Sequence, residues 1–419
     1  MSKRVLIVGA GVMGLCSAHY LSRRGCAVTV IDREDAGFEN CSFGNAGLIC
    51  PSHILPLAAP GMVGAALRMM FNPASSFYIR PRFDRELFDW MLKFRRAATE
   101  QHVARCAPLL RDLNMASRGC YEELANLPGA DFGLMRKGLL MLCKTELGLA
   151  HEAAHAERAR SLGLAAEVLD SRRIADLEPR IRIEVAGGVL YPADCHLCPG
   201  NLMRWLRKQL HEAGVALLWK TNLTGWRLRD GTIEAARTSA GDLTADEFVL
   251  CGGSWSAAAV KEIGLTLPMQ PGKGYSLTLE SPPQLPTLSM ILTEARVAVT
   301  PMESNLRFAG TMEIVGFDRT INPVRVRGIV QSVPAYLPDF GEANFAAATP
   351  WCGLRPCSPD GLPYIGRTRK LRNLCVAAGH AMMGLSLGPI TGTLISQIVC
   401  GEPTSIDIAL LDPDRYAKN

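Results

Sequence analysis

The chain has 419 residues, 48% hydrophobic and 20% charged, with 45 Lys and Arg against 40 Asp and Glu. That composition excludes a disordered chain, and the length calls for two lobes rather than one core. A net charge of +5 spread so thinly leaves no electrostatic footprint for nucleic acid, and no apolar run reaches the ~20 residues that span a bilayer.

In chain order, Arg4 to Val8 is a short apolar run of strand type, followed by Gly9-Ala10-Gly11-Val12-Met13-Gly14. Leu15 to Arg24 reads as a helix stopped by Gly25, and Ala27 to Ile31 as a second strand ending at Asp32-Arg33. Strand, glycine turn, helix, strand and acid together predict a dinucleotide site. Gly9 allows the tight turn, Gly11 admits a pyrophosphate to the backbone, and Gly14 lets the helix pack on the sheet. The helix N-terminus, with Val12 and Met13, offers N–H groups and a positive dipole end to phosphate. Asp32 suits ribose hydroxyls and opposes a 2′-phosphate, which disfavours NADP. The fingerprint alone does not separate FAD from NAD.

A loop of small residues follows, from Asn40 through Ser42, Asn45, Ala46 and Gly47 to Leu48. Such a loop suits an extended cofactor that needs many N–H contacts, and an ordinary surface loop is its alternative. Ile54 to Met70 is apolar but interrupted by prolines and glycines, and is expected to pack, with a cavity wall or membrane surface as alternatives. Lys93-Phe94-Arg95-Arg96 is expected to be a solvated helix face. Residues 81 to 163 are expected to be largely helical, with amphipathic stretches at Phe88–Ala98 and Leu147–Leu162.

The 14 cysteines have no scaffold-like spacing, and no secretory signal precedes the first strand, so free thiols and a cytoplasmic setting are expected. Cys195 and Cys198 form a lone C-x-x-C without further ligands, and no metal site is expected. Leu202–Ala213 reads as a helix and Val215–Trp219 as a strand, leading to Leu223. Glu247–Cys251 reads as a strand closing on Gly252, Gly253 and Trp255. Far downstream, Leu374–Ala378 is a strand running into Gly379-His380, with Met383-Gly384-Leu385-Ser386 opening an apolar helix. A second helix N-terminus there could face a flavin and stabilise negative charge on its reduced ring.

In these motifs, together with Gly353-Leu354-Arg355-Pro356 and Ser358 to Gly366, the chain resembles the D-amino-acid oxidase superfamily of flavoproteins, and within it the bacterial D-amino acid dehydrogenase branch. The resemblance covers nearly the whole chain. It implies an α/β fold: a Rossmann-type FAD-binding domain and a second α+β substrate domain with a mostly antiparallel sheet. The expected segments are 1–80, 196–262 and 348–419 for the first and 81–195 and 263–347 for the second. It implies non-covalent FAD, held by the glycine turns and loops named above and by Gly353; Cys352 and His380 are the positions where covalent attachment would fall.

The resemblance also implies oxidative deamination of a small amino acid, first of all a D-amino acid, by hydride transfer from Cα to flavin N5. The imine formed is hydrolysed to a 2-oxo acid and ammonia. Arg355, fixed by Gly and Pro neighbours, is expected to bind the substrate carboxylate with its forked donors, with an internal salt bridge to Asp360 as the alternative. Tyr275 is expected to touch the carboxylate or shape the pocket, with a packed structural role as the alternative. His53 is expected near the flavin's reacting face, with a turn role as the alternative. D-hydroxyproline, glycine or sarcosine are the substrate alternatives. An FAD-binding subunit of a heteromeric dehydrogenase is the non-catalytic alternative, and an NADH-using flavoprotein would want a second fingerprint that Gly379–Gly384 lacks. The acceptor is expected to be a quinone, an electron carrier or oxygen; residues 54–79 are the expected place for peripheral contact with an inner membrane.

Overall fold

Strand Arg4–Val8 lies at the centre of a six-stranded sheet in the computed structural model, which describes residues 2–70 and 75–417. The strand order is Tyr364–Arg367, Leu374–Ala378, Glu247–Leu250, Arg4–Val8, Ala27–Ile31, Ala216–Leu218, parallel except for the first strand. Val5 to Val8 are all buried, as a strand covered on both faces requires. One face carries the helices Val12–Arg23, Pro199–Glu212 and Gly384–Cys400. The other packs against Trp226, Ile233 and Val260, which come from a three-stranded meander and a short helix.

Helix Gly384–Cys400 crosses Val12–Arg23 at close range because glycines stand at the crossing. A Cβ on Gly392 would lie 2.6 Å from the Cys16 carbonyl carbon, and one on Gly388 2.8 Å from Val12 Cγ2. Together with the turn before it, Ala381–Cys400 is 20 residues long and apolar enough to span a bilayer, contrary to the sequence expectation, yet 72% of the qualifying window is buried inside the protein. It is a core helix, apolar because it is enclosed on several sides.

The 26-residue helix Glu100–Ala125 belongs to the segment assigned from sequence to the second lobe. Its buried side chains Leu110, Leu113, Tyr121 and Leu124 lie in the core shared by Val12–Arg23 and Gly384–Cys400. Ser117 Oγ and Tyr121 Oη donate to the carbonyls of Ser386 and Leu385, both at 2.6 Å, and so pin the start of the core helix.

The second sheet has nine strands in the order Trp351–Cys357, Gln270–Leu279, Asn305–Ile314, Val297–Met302, Ser289–Leu292, Leu139–Cys143, Gly187–Tyr191, Glu167–Asp170, with Phe77–Ile79 added beside Asn305–Ile314. Pairing is antiparallel except at Ser289–Leu292 with Leu139–Cys143 and at Phe77–Ile79 with Asn305–Ile314. Trp351–Cys357, within a segment assigned to the first lobe, is the edge strand of this sheet. The sheet's outer face packs on Val326, Ile329 and Val330 of helix Pro323–Ser332. The amphipathic stretches are helices Arg85–Ala97 and Glu146–Ser161, capped by Asp84 and Thr145. Between them Leu139–Cys143 is a strand, not helix. Pro73 of the apolar stretch lies outside the described residues.

Three enclosed imidazoles set the acid limit of this fold. Burial lowers His19 and His196 to about 4 and His380 to about 3. A base with a depressed folded pKa contributes stability above its unfolded value near 6.5, and this stability is lost as pH falls toward the folded value. Asp194 works in the opposite direction, because burial raises its carboxyl to about 7. At pH 5 each imidazole costs roughly 2 kcal/mol and Asp194 offsets about one of them. The expected result is a Tm lower by ~4 °C at pH 5 than at pH 7, measured by calorimetry. An unchanged or rising Tm over that interval would contradict it.

Candidate active site

A single cavity of about 1610 Å³ runs between the two sheets. It exceeds the ~300–1,000 Å³ that holds one drug-sized ligand, so a dinucleotide and a substrate can share it. Of the residues expected to hold the cofactor, Gly9, Gly11, Val12, Met13, Asp32, Arg33, Ser42, Asn45, Ala46, Leu48, Leu223, Gly252, Gly253, Trp255, Gly353, His380, Met383, Gly384, Leu385 and Ser386 line it.

Gly14, Gly47 and Gly379 stand behind the wall and act through packing. A Cβ on Gly14 would lie 1.8 Å from the Gly9 carbonyl oxygen, one on Gly47 2.4 Å from that of Leu197, and one on Gly379 2.7 Å from the Tyr364 ring.

The polar groups of the wall fit an extended dinucleotide. Helices Val12–Arg23 and Gly384–Cys400 both begin at the cavity, and neither N-cap residue supplies a side-chain cap. Two helix ends therefore present backbone N–H groups and positive partial charge to the same space. Ser42 Oγ meets Val12 N at 3.0 Å, which ties the small-residue loop to the first turn of the helix. Asp32 accepts from Ala10 N at 2.7 Å and Glu34 N at 2.9 Å, which fixes its carboxylate at the end of the second strand. Arg33 stacks on Trp255, 3.7 Å from the ring centre. His380 Nε2 lies 3.0 Å from Thr391 Oγ1, and its buried Nδ1 has no partner among the described residues. Trp351, missed in the sequence, covers the loop: a Cβ on Gly44 or Gly353 would lie 2.2 Å from its ring. Only the meeting of two distant segments gives this tryptophan a role.

Arg355 projects from the edge strand across Gly274. A Cβ there would lie 2.0 Å from Arg355 Nη1, so glycine makes the space for the guanidinium. Nη1 donates to the carbonyl of Thr311 at 2.8 Å. Among the described residues no carboxylate lies within ion-pair distance of Arg355. The salt bridge to Asp360 is ruled out, because Arg415 holds that carboxylate with Nε at 2.7 Å and Nη2 at 3.0 Å. A half-buried guanidinium facing a cavity with donors to spare suits a planar anion.

Tyr275 borders the cavity next to Gly274, at an irregularity of the strand register between Lys273 and Tyr275. The Tyr275 ring is 1% exposed and packs in the outer core with Phe308 and Val326. Its hydroxyl donates to Glu313 Oε2 at 2.5 Å, within a buried cluster where Lys273 and Arg325 also approach Glu313, at 3.6 and 3.3 Å. Its hydroxyl is committed to Glu313, which favours the packed structural role, while the residue still borders the cavity wall.

His53 lines the cavity, in a turn where its N–H donates to Cys50 O at 3.0 Å. Burial lowers its imidazole, and Glu152 partly opposes the shift. One ligand atom each from Cys50, His53 and Asp194 lie within 4.8 Å of one another. Asp194 is already taken up, accepting from Ser52 N at 2.9 Å and Ser52 Oγ at 2.5 Å. Cys352, one of the two positions weighed for covalent attachment, lines the cavity, and its thiol donates to Arg319 O at 3.0 Å. Arg296, Thr311 and Glu152 also line the wall and were not singled out from sequence.

The family model described as FAD-dependent oxidoreductase matches residues 4–398. A protein from Granulibacter bethesdensis named D-amino acid dehydrogenase is 35% identical, covering 99% of this chain and 100% of its own. One of the same name from Allorhizobium ampelinum is 32% identical, covering 99% of each. Among solved structures, glycine oxidase from Geobacillus kaustophilus superposes with a TM-score of 0.79 at 25% identity over the full length of both chains. L-proline dehydrogenase from P. horikoshii, at 17% identity and a TM-score of 0.74 with 99% of this chain and 98% of that one covered, shares the fold.

Proposed function

The chain belongs to the FAD-dependent oxidoreductase family, and we propose that it catalyses the oxidative deamination of D-amino acids. One observation carries this reading: Arg355, a guanidinium without a carboxylate partner among the described residues, faces the cavity whose glycine turns cradle the cofactor. The full-length relatives named D-amino acid dehydrogenase support the handedness.

FAD, when bound, takes up the hydride from the substrate α-carbon, and the imine left behind is hydrolysed to a 2-oxo acid and ammonia. The chain's own part is to orient and to dehydrate. Arg355 binds the α-carboxylate, and the Thr311 carbonyl and the space over Gly274 fix its angle. Apolar walls from Leu48, Met312 and Ile314 exclude bulk water. His53 lines the same cavity, and its imidazole, held toward the neutral form by burial, can accept a hydrogen bond from the substrate nitrogen. The test is an anaerobic panel of D- and L-amino acids with glycine, sarcosine and D-hydroxyproline, followed by flavin absorbance. D-amino acids should bleach it, and a panel with no bleaching defeats the proposal.

The electron acceptor is a quinone reached from a membrane surface, and the protein sits peripherally on the cytoplasmic side. Phe83, Phe88, Leu92 and Met382 border the cavity and are exposed, with exposed Arg85, Arg95 and Arg96 beside them. Exposed aromatics flanked by arginines suit an anionic lipid surface. The Phe88→Glu, Leu92→Glu double variant should lose roughly tenfold in binding to anionic vesicles in a flotation assay; equal flotation of variant and parent removes the membrane role.

A further inference from the structure

Glu152 projects from helix Glu146–Ser161 and is 5% exposed. Its Oε1 accepts from Tyr191 Oη at 3.0 Å, and its Oε2 lies 3.6 Å from Nδ1 of the surface residue His155. Among the described residues no lysine or arginine comes within ion-pair distance. The small pocket beside it is lined by Ile54, Leu55 and Met141 together with Ser52, His53, His155 and Arg158, whose guanidinium pairs with Glu100 at 3.0 Å. A buried carboxylate is favourable only where a partner compensates its charge, and on a cavity wall a cationic ligand can be that partner.

Glu152 lines the main cavity, and with His53, Met141 and His155 it also lines an adjoining pocket of about 120 Å³. His53 does not supply the missing charge, because burial lowers its imidazole. Arg296 lines the same cavity but does not come within ion-pair distance of Glu152.

The register of the second sheet relates the two ends. The Arg355 guanidinium is anchored at strand Asn305–Ile314, through Thr311. Met141 stands three strands further across, at the end of the paired row Ala309, Ala298, Ile291, Met141. All four line the cavity. Three strand spacings separate the backbones of Ala309 and Met141 by roughly 14 Å, and Met141 shares the small pocket with Glu152. An extended lysine or arginine, roughly 7 Å from carboxylate to cation, with an ion-pair contact at each end, is of the same order. The small side chains of Ala309 and Ala298 leave room for the methylenes between.

We propose that Glu152 recognises a cationic side-chain end, so that the preferred substrates are amino acids with an ammonium or guanidinium on an extended chain. This rests on the deamination reading and names its substrate class.

The test compares D-arginine with D-citrulline, which has similar length and a neutral end, on the holoenzyme. The expected kcat/KM ratio is about tenfold or more in favour of D-arginine, falling to near one in Glu152→Gln. Equal kcat/KM for the two in the parent enzyme overturns the proposal, whatever the variant does, as does a preference that survives the substitution. Calorimetry of L-arginine and L-citrulline binding reads the same preference without turnover. If no D-amino acid is oxidised but a Glu152-dependent preference for L-arginine remains, the deamination reading falls and the cation site stands.

Discussion

Replacing Arg355 with leucine is expected to lower kcat/KM for every amino acid oxidised by about 10²–10³-fold, mainly through KM, with FAD still bound. Loss of a charge-assisted, two-pronged contact in a partly dehydrated site amounts to roughly 3–4 kcal/mol. The side chain lies over Gly274 and touches the cavity through its tip, so leucine removes the anchor without breaking a core. Lysine at the same position keeps the charge but loses the fork, and should recover only part of the loss. Gly274→Ala should give a weaker version, because the new Cβ would sit where the guanidinium now lies. Steady-state kinetics with an acceptor dye, alongside flavin absorbance, decide the matter. Unchanged KM in Arg355→Leu would remove this residue from the carboxylate role.

Gly14→Ala is expected to abolish FAD retention and to destabilise the fold by about 3 kcal/mol or more. Its φ is ordinary, so the reason is space and not backbone strain. The added methyl would lie 1.8 Å from the Gly9 carbonyl oxygen and 3.4 Å from Ile7 Cγ2. A backbone oxygen in a tight turn cannot swing aside as a side chain can, so the helix must lift from the strand. Lifting it also displaces the N-terminal amides from the cavity, which couples the packing defect to cofactor loss. The ratio of FAD to protein and the melting temperature read the two effects separately. Full FAD content with an unchanged Tm would show that the turn relaxes more easily than the geometry allows.

The two substitutions differ in what made them visible. Gly14 could be chosen from the sequence because the strand, turn and helix it joins are neighbours in the chain. Arg355 could be chosen from its Gly and Pro setting and the resemblance that setting carries. Its freedom from Asp360 emerged only with Arg415, from the far end of the chain, seen holding that carboxylate.

Tyr275 shows where a sequence stops. Period two says that Gly274 and Tyr275 face opposite ways, but not which way is the cavity, and the second sheet is covered on both faces. The register shift between Lys273 and Tyr275 against the neighbouring strand adds to the difficulty. Glu152 was not singled out within the amphipathic stretch Leu147–Leu162, because nothing local reports that this turn is buried against Tyr191. Helix Glu100–Ala125 could not be placed with the first core for the same reason, since its partners Leu385 and Ser386 lie more than 250 residues away.

By itself, then, the sequence determined the nucleotide-fold half of this protein: the glycine turns, the acid at the second strand and the helix ends that open on the cavity. Those features act over one or two neighbouring elements, where steric and hydrogen-bond rules are read directly from residue order. The tertiary structure decided what surrounds the candidate substrate groups, including which face of the second sheet looks inward and that, among the described residues, Arg355 and Glu152 have no oppositely charged Lys, Arg, Asp or Glu within ion-pair distance. Each of these depends on burial and charge contributed by segments remote in the chain, and local residue order carries no record of them.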